Sequence, residues 1–348
     1  MSAIDYRVIV DKSELQQIPT LETDVWGMPD LECLPPSLLI STAHIGGLIL
    51  GAFDGGKLVG VCVGMPASQS GLLWSYMAGV HPAYQSQGIG LALKQLQKQQ
   101  ALTAGYQKIA WTFDPLQARN AYFNIALLGA VGRKYHPDFY GSMDDGLNAG
   151  LPSDRLEVVW DIRISKKPGR KRSDDTTILR MEDEQCAGFS QVDPVRDLLI
   201  AIPSDINELR ATDLAQAMRW RLNLRACLLQ SIERGYQVTG VEKLDNQYFY
   251  RLQWPPSWYL YVVRCADNTL YTGISNNVPR RIEQHNKGKG AAYTASRRPV
   301  VLQGLWEFGG RDSASKAELR LKKLPRHEKE TILEGQRDFM GARYLKSF

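Results

Sequence analysis

Consecutive prolines at 255 and 256, in the stretch QWPPSWYLYVV, restrict the folding of this chain more than any other feature. Neither residue has a backbone N–H to donate, and each biases the residue before it away from helix. No helix or central strand runs easily through such a pair, so the chain is expected to divide there. Its 348 residues are also too many for one ordinary core. Charge divides at the same point. From Pro256 onward there are 17 Lys and Arg against 9 Asp and Glu, whereas the preceding residues hold 25 against 28. A basic C-terminal part on a slightly acidic body points to a polyanionic partner for that part alone.

Other features exclude whole classes. The five cysteines, Cys33, Cys62, Cys186, Cys227 and Cys265, are scattered and form no CxxC, which argues against a disulfide framework and a zinc site. The opening MSAIDYRVIVDKSE has acidic residues and no apolar core of a secretory signal. The longest apolar run, IGGLILGAF, is far shorter than a membrane span. The expectation is a cytoplasmic protein with no membrane contact.

Up to about Ile164, strand-like and helix-like pieces alternate. GLILGAF and KLVGVCVGMPA flank DGG, a hairpin pattern. GLLWSYMAGV reads as the next strand, GIGLALKQLQKQQALTAG as a helix ended by glycine, QKIAWTFD as a strand, and RLEVVWDIRI as a last strand. PLQARNAYFNIALLG is expected to be a helix opened by its proline and closed by Gly129. This interleaving predicts an α/β layer fold. ISKKPGRKRSDDTT is polar, basic and aperiodic, so 166–177 reads as a linker or long loop. Beyond it, RDLLIAIP suggests a strand, DLAQAMRWRLNLRACLLQSIERG a long amphipathic helix, and YQVTGVEKLDNQYFYRLQ a closing hairpin.

The stretch GVHPAYQSQGIGLALKQLQ places Gln-x-x-Gly-x-Gly between a strand and a helix. Such a turn leaves free N–H groups at the positive end of the helix, and glycines let a pyrophosphate approach closely. A purely structural reading, tight strand–helix packing, stands at even weight on spacing alone. No Walker lysine follows and GxGxxG is absent, so ATP and NAD fit less well. The pattern V-H-P…G-I-G-x-x-L closely resembles the acetyl-CoA motif of the GNAT N-acetyltransferases, and the element order from Tyr6 to Ile164 suits that fold. YQKIAWTFDPLQARNAYFNIALLGAVGRKYHPDFYG resembles an uncharacterised branch of them, with similarity continuing through AMRWRLNLRACLLQSIERGYQVTG. The resemblance implies acetyl-CoA held, largely by main-chain atoms, on Val80, Gln85, Gln87, Gly88, Ile89 and Gly90. It also implies direct attack of an acceptor amine on the thioester. The family often has a tyrosine, acid for the thiolate, four residues before its closing Gly-Phe. Here the pair is Gly129-Ala130 and position 125 is Ile, with Asn120, Tyr122 and Asn124 nearby. Asp114 before Pro115 reads as an N-cap and His81 before Pro82 as a loop residue.

Downstream, SWYLYVVRCADNTLYTG reads as a hairpin carrying Tyr261 and Tyr271. VPRRIEQHNKGKG starts a helix that sets Arg281 and His285 on one face, four residues apart. SASKAELRLKKLPRHEKE puts Glu318 among basic residues on another helix. Singly, each is more often cross-strand packing, a solvated pair or a surface ion pair. Together they form a set that phosphodiester hydrolysis needs: a phenol to relay a proton, an arginine for phosphorane charge, and a carboxylate for a divalent metal.

The set strongly resembles the GIY-YIG nuclease domain, and the small bacterial single-domain branch in particular. The two triplets appear as Tyr259-Leu260-Tyr261 and Tyr271-Thr272-Gly273, with Arg281 eight residues after Gly273, His285 four later, and Glu318 at the metal-ligand position. The first triplet lacks its glycine, and no asparagine follows Asn286. By resemblance, Tyr271 assists the water, Tyr261 and His285 position it and the phosphate, Arg281 binds the phosphate, and Glu318 holds Mg²⁺ or Mn²⁺. The expected organisation is a GNAT-like mixed sheet with flanking helices at 1–165, the linker, an accessory part at 178–253, a small α/β GIY-YIG nuclease domain at 256–335, and a tail at 336–348. Expected partners are nucleic acid, taken as DNA, acetyl-CoA and an amine acceptor. A C-terminal module that binds nucleic acid without cleaving it is the alternative.

Overall fold

The computed structural model describes residues 3–29, 31–141, 150–164, 176–182, 185–187, 197–244, 247–253, 258–342 and 344–345. The chain forms two compact units, Met1–Trp254 and Pro255–Phe348.

In the first unit the apolar and β-branched runs become twelve strands of one mixed sheet. They are β1 (Asp5–Val8), β2 (Leu48–Asp54), β3 (Lys57–Pro66), β4 (Leu72–Val80), β5 (Lys108–Phe113), β6 (Val131–His136), β7 (Arg155–Asp161), β8 (Thr176–Glu182), β9 (Gln185–Ala187), β10 (Asp197–Ile202), β11 (Gln237–Leu244) and β12 (Gln247–Gln253). Their order is β1-β2-β3-β4-β5-β7-β6-β11-β12-β10-β8-β9. Helices α1 (Lys12–Leu15), α2 (Ile18–Trp26), α3 (Pro36–His44), α4 (Ile89–Thr103), α5 (Ala118–Ala121), α6 (Ile206–Thr212) and α7 (Leu214–Glu233) accompany them.

Strands β4 and β5 run parallel and pair only from Leu72↔Lys108 to Trp74↔Ala110. Beyond that point they part. The register of β3 on β4 steps from Val63↔Met77 to Gly64↔Ser75, so Tyr76 is a bulged residue where the strands separate. The result is a fork between two parallel strands, with α4 packed over one face. Ile89 and Leu93 of α4 are buried with Leu50, Ala52, Val59 and Cys62, whereas α2 covers the opposite face through Leu21 and Val25.

The residues after 176 are not an independent layer. Leu198, Ile200, Leu224, Leu228, Tyr250 and Leu252 share one core with Ile109, Trp111, Leu156 and Val158. Charged anchors fasten α7 onto the rest. Arg221 donates to both oxygens of Asp114 at 2.8 and 2.9 Å, and Arg225 to both of Asp154 at 2.8 and 2.6 Å. Asp154 also accepts from the buried Tyr135 hydroxyl at 2.5 Å.

The second unit is a three-stranded antiparallel sheet, β13 (Trp258–Cys265), β14 (Leu270–Ser275) and β15 (Val300–Phe308), in the order β14-β13-β15. Helices α8 (Val278–Asn286), α9 (Ala292–Ala295), α10 (Arg311–Lys323) and α11 (Arg326–Glu334) complete it. Alternation along β13 gives each face its own core. Leu260 and Val262 meet Ala314, Ala317 and Leu321 of α10, while Tyr261 and Val263 meet Val278 of α8.

Several expectations need correction. Of the expected linker, residues 166–175 lie outside the described residues, and Thr176 and Thr177 already belong to β8, paired parallel with β10. The described residues after Gly335, in a segment expected as a tail, pack on the sheet: Trp306 Nε1 donates to the Arg337 carbonyl oxygen at 2.9 Å, and Ala342 is buried with Trp306. Pro115 does not open a helix. Pro115 and Leu116 form a turn closed by the Gln117 N–H on the Asp114 carbonyl oxygen at 3.1 Å, α5 begins at Ala118, and Tyr122–Leu127 continues as a π-helical turn. Finally, Cys33, Cys62 and Cys265 are free, but Cys227 is disulfide-bonded.

Candidate functional sites

In the second unit the hairpin register builds the site. Tyr261 lies directly across from Gly273. A Cβ at Gly273 would stand 2.6 Å from the Tyr261 hydroxyl and 2.7 Å from its ring carbon, so the Tyr-Thr-Gly triplet needs glycine to let the phenol lie over it. The other contact comes from α8. Asn277 caps this helix by accepting from the Arg280 N–H at 3.1 Å, and Pro279 fits its first turn. Val278 and His285, two turns apart, face inward with Ile282, and Arg281 lies one turn before His285.

Tyr261 and His285 are 1% and 0% exposed. The Tyr261 hydroxyl and His285 Nε2 are 2.9 Å apart, and His285 Nδ1 is 2.6 Å from Thr294 Oγ1. Thr294 donates in turn to the Ala291 carbonyl oxygen at 2.9 Å. Burial, with Arg281 nearby, holds His285 below its ordinary pKa, so the ring is neutral near pH 7. Burial pushes the Tyr261 phenol up to about 12 against the pull of the Arg281 guanidinium. Tyr271 packs its ring edge-on against His285, centroids 5.1 Å apart, and stacks on Tyr293 at 6.0 Å. Arg297 covers Tyr293 at 4.4 Å.

The structure thus gathers Tyr261, Tyr271, Arg281 and His285. Glu318 comes from α10, whose apolar side covers the opposite face of the sheet; it accepts from Lys322 at 2.7 Å and its side chain is 22% exposed. Its negative charge also helps to raise the Tyr261 phenol. Among the described residues there is no group of three or more His, Cys, Asp or Glu able to hold a metal. The donor set does not fit a cation caged by protein. It does fit Mg²⁺ on one carboxylate, because that ion keeps several waters and shares its coordination with substrate phosphates. Thr294 carries no signal of its own in the sequence; only its contact with His285 singles it out.

In the first unit, Gly88 caps α4 with φ 83°, a left-handed conformation suited to glycine. Ala92 N–H is bonded to the Gly88 carbonyl, so the N–H groups before it precede the helical ladder. Gln85 Nε2 donates to the Val80 carbonyl oxygen at 3.2 Å and Gln87 Nε2 to that of Ala83 at 3.3 Å. Both side chains therefore brace the turn, and the Ile89 side chain is in the core. What these residues can offer an anion is mainly main chain, with Gly90 leaving ordinary space beside Val80.

At the crotch of the fork lies Lys94. Its ammonium donates to Ser75 Oγ at 3.0 Å and Gln97 Oε1 at 2.8 Å, and sits 4.0 Å from the centre of the Trp111 ring. Burial lowers its pKa. Ile125 is in the core, and Asn124 accepts from Trp111 Nε1 at 3.1 Å, so neither takes the place of the family's tyrosine, while Tyr122 is exposed. Asp114 is occupied by Arg221 and by the Leu116 N–H at 2.9 Å, a structural role. His81 Nδ1 accepts from the Ala83 N–H at 3.2 Å, as a loop residue.

These two sites have relatives. The GIY-YIG catalytic domain matches residues 257–331, and the acetyltransferase (GNAT) family matches residues 15–124. Through its C-terminal unit the chain belongs to the GIY-YIG family, and it carries a GNAT acetyltransferase domain at its N-terminus. Both are enzyme domains. A UPF0213 protein of Desulfotalea psychrophila is 45% identical over 94 residues, 27% of this chain and 86% of that protein. The UPF0213 protein YazA of Bacillus subtilis is 43% identical over 89 residues, 26% of this chain and 90% of that one. Among solved structures, the ribosomal-protein-S18-alanine N-acetyltransferase from Escherichia coli is 15% identical with a TM-score of 0.39, covering 49% of this chain and 99% of its own. No helix among the described residues is long and apolar enough to cross a membrane.

Proposed function

We propose that the C-terminal unit hydrolyses phosphodiester bonds of DNA with Mg²⁺ or Mn²⁺, and that the N-terminal unit transfers acetyl from acetyl-CoA to an amine. One observation carries the first reading: the buried Tyr261–His285 pair lies between a half-buried arginine and a half-buried tyrosine in a basic unit. Arg281 binds the scissile phosphate and neutralises charge as the phosphorane forms. Tyr271 hydrogen-bonds the attacking water. Tyr261 and His285, having almost no solvent contact, position those two groups rather than touching substrate. A divalent cation on Glu318 would neutralise the phosphate and leaving oxygens.

The test is cleavage of labelled single-stranded, duplex and branched DNA, and of RNA, by the full chain with Mg²⁺ or Mn²⁺. Arg281→Ala is expected to lower the rate by about 10²–10³-fold. Glu318→Ala is expected to abolish cleavage while leaving binding in place. Binding by the wild type without cleavage of any substrate would favour the non-cleaving module.

The acetyltransfer reading is supported by the β4–β5 fork and the Gly88–Gly90 turn at the start of α4. Acetyl-CoA would lie on main-chain atoms of Val80, Gln85, Gln87, Gly88, Ile89 and Gly90. At 100 times its Kd it is expected to stabilise this unit by about 2.7 kcal/mol, a Tm rise of roughly 5–11 °C. Analogues without the phosphates should shift Tm less. Equal shifts from both, or none from acetyl-CoA, would remove this turn from the site.

A further inference from the structure

The buried chain beneath the proposed nuclease site has a determinate direction. The direction is set at its threonine end, where the Thr294 hydroxyl donates to the Ala291 carbonyl oxygen at 2.9 Å and is left to accept from His285 Nδ1. The neutral ring then has only Nε2 left to accept, and the Tyr261 hydroxyl, 2.9 Å away, donates to it. A neutral imidazole that accepts at Nε2 carries its proton at Nδ1. That proton faces Thr294 Oγ1 at 2.6 Å. Thr294 has one hydroxyl proton, and the Ala291 carbonyl oxygen, 2.9 Å away, can only accept it. The chain then runs one way: tyrosine to histidine, histidine to threonine, threonine to backbone.

We infer that Thr294 is a positioning residue that fixes His285 as the Nδ1–H tautomer and, through Tyr261, holds Arg281 aimed at the phosphate. The functional half of this statement rests on the nuclease reading; the tautomer does not. The structure also contains the competing arrangement. The Ala291 N–H lies 3.5 Å from His285 Nδ1, too long to compete with the threonine but the natural donor once that hydroxyl is gone. Nδ1 would then accept, Nε2 would carry the proton, and Tyr261 would have to accept that proton and turn its own O–H away from the ring. The charged and titratable groups around His285 are Arg281 on its own helix, Tyr261 on β13, Tyr271 on β14 and, acting through Tyr261, Glu318 on α10. The one cation among them opposes protonation of the ring.

The decisive measurement is imidazole ¹⁵N NMR on the full chain labelled at its five histidines, with the His285 signals assigned by their loss in His285→Gln. Wild type is expected to show His285 neutral and protonated at Nδ1 at pH 7. Thr294→Val should move it to the Nε2–H form, and Thr294→Ser should keep the wild-type form. Cleavage is expected to fall on the order of 10²-fold in Thr294→Val and to return to within a few-fold of wild type in Thr294→Ser. An Nε2–H tautomer in wild type overturns the inference without any variant. So does a Thr294→Val protein that remains folded with Nδ1 protonated, or one whose tautomer changes while cleavage does not. A wild type that cleaves nothing would remove the nuclease reading and the aiming of Arg281 with it, while the NMR result would still decide the role of Thr294 in fixing the tautomer.

Discussion

Arg221→Ala is expected to destabilise the N-terminal unit by about 3–5 kcal/mol, the cost of leaving one partner of a buried ion pair alone. Arg221 is 1% exposed and donates to both oxygens of Asp114. Burial works against its charge, yet the carboxylate more than offsets this and raises the guanidinium pKa. With the guanidinium gone, Asp114 keeps the Leu116 N–H but loses its cationic partner at the edge of the core. Arg221→Met with Asp114→Leu removes both charges and is expected to recover much of the loss, because apolar replacement of a buried pair is often neutral. The denaturant midpoint of the unit's unfolding transition checks this. A single variant within about 1 kcal/mol of wild type, an ordinary surface effect, would mean that α7 is not fastened through this pair. The same experiment asks whether residues 176–253 are integral to the acetyltransferase unit, since Arg221 lies in α7 and Asp114 directly after β5.

Gly290→Ala is expected to disable the C-terminal unit more than its single methyl suggests. A Cβ there would stand 2.4 Å from His285 Nδ1 and 2.8 Å from the His285 Cα. A side chain can turn aside, but a backbone atom of a packed helix cannot. Overpacking of this kind costs about 1–3 kcal/mol, and displacing a positioned group by about 1 Å costs on the order of 10²-fold in rate. Gly309→Ala is the control, because its Cβ would meet nothing within 4 Å. Thermal unfolding and cleavage rate, measured on both variants, separate a local clash from a general intolerance of glycine replacement. Equal behaviour of the two would show that the loop before α9 yields, and that His285 is not confined as its neighbours indicate.

The parts of this protein that were legible in the sequence are those governed by local physics. The paired prolines fall at the boundary between the two units, the glycine turn at 88–90 opens a helix, and the Arg281–His285 spacing sets two side chains on one helix face. None of these depends on distant residues, so reading along the chain suffices. The α/β class follows for the same reason, from alternating periodicities. Tertiary structure decided the rest. Ten residues separate Tyr261 from Tyr271, but only the hairpin register sets Tyr261 across from Gly273 and explains why that glycine is needed. The polar character of residues 166–177 suggested a loop throughout, yet Thr176 and Thr177 join β8, because sheet pairing with β10 outweighs weak local preference. A C-terminal segment with no periodicity looked like a tail and proved to be packing for Trp306. Thr294 has no distinguishing neighbour in sequence. Its importance comes from a hydroxyl placed 2.6 Å from an imidazole nine residues away, in a site so buried that each proton must have a partner.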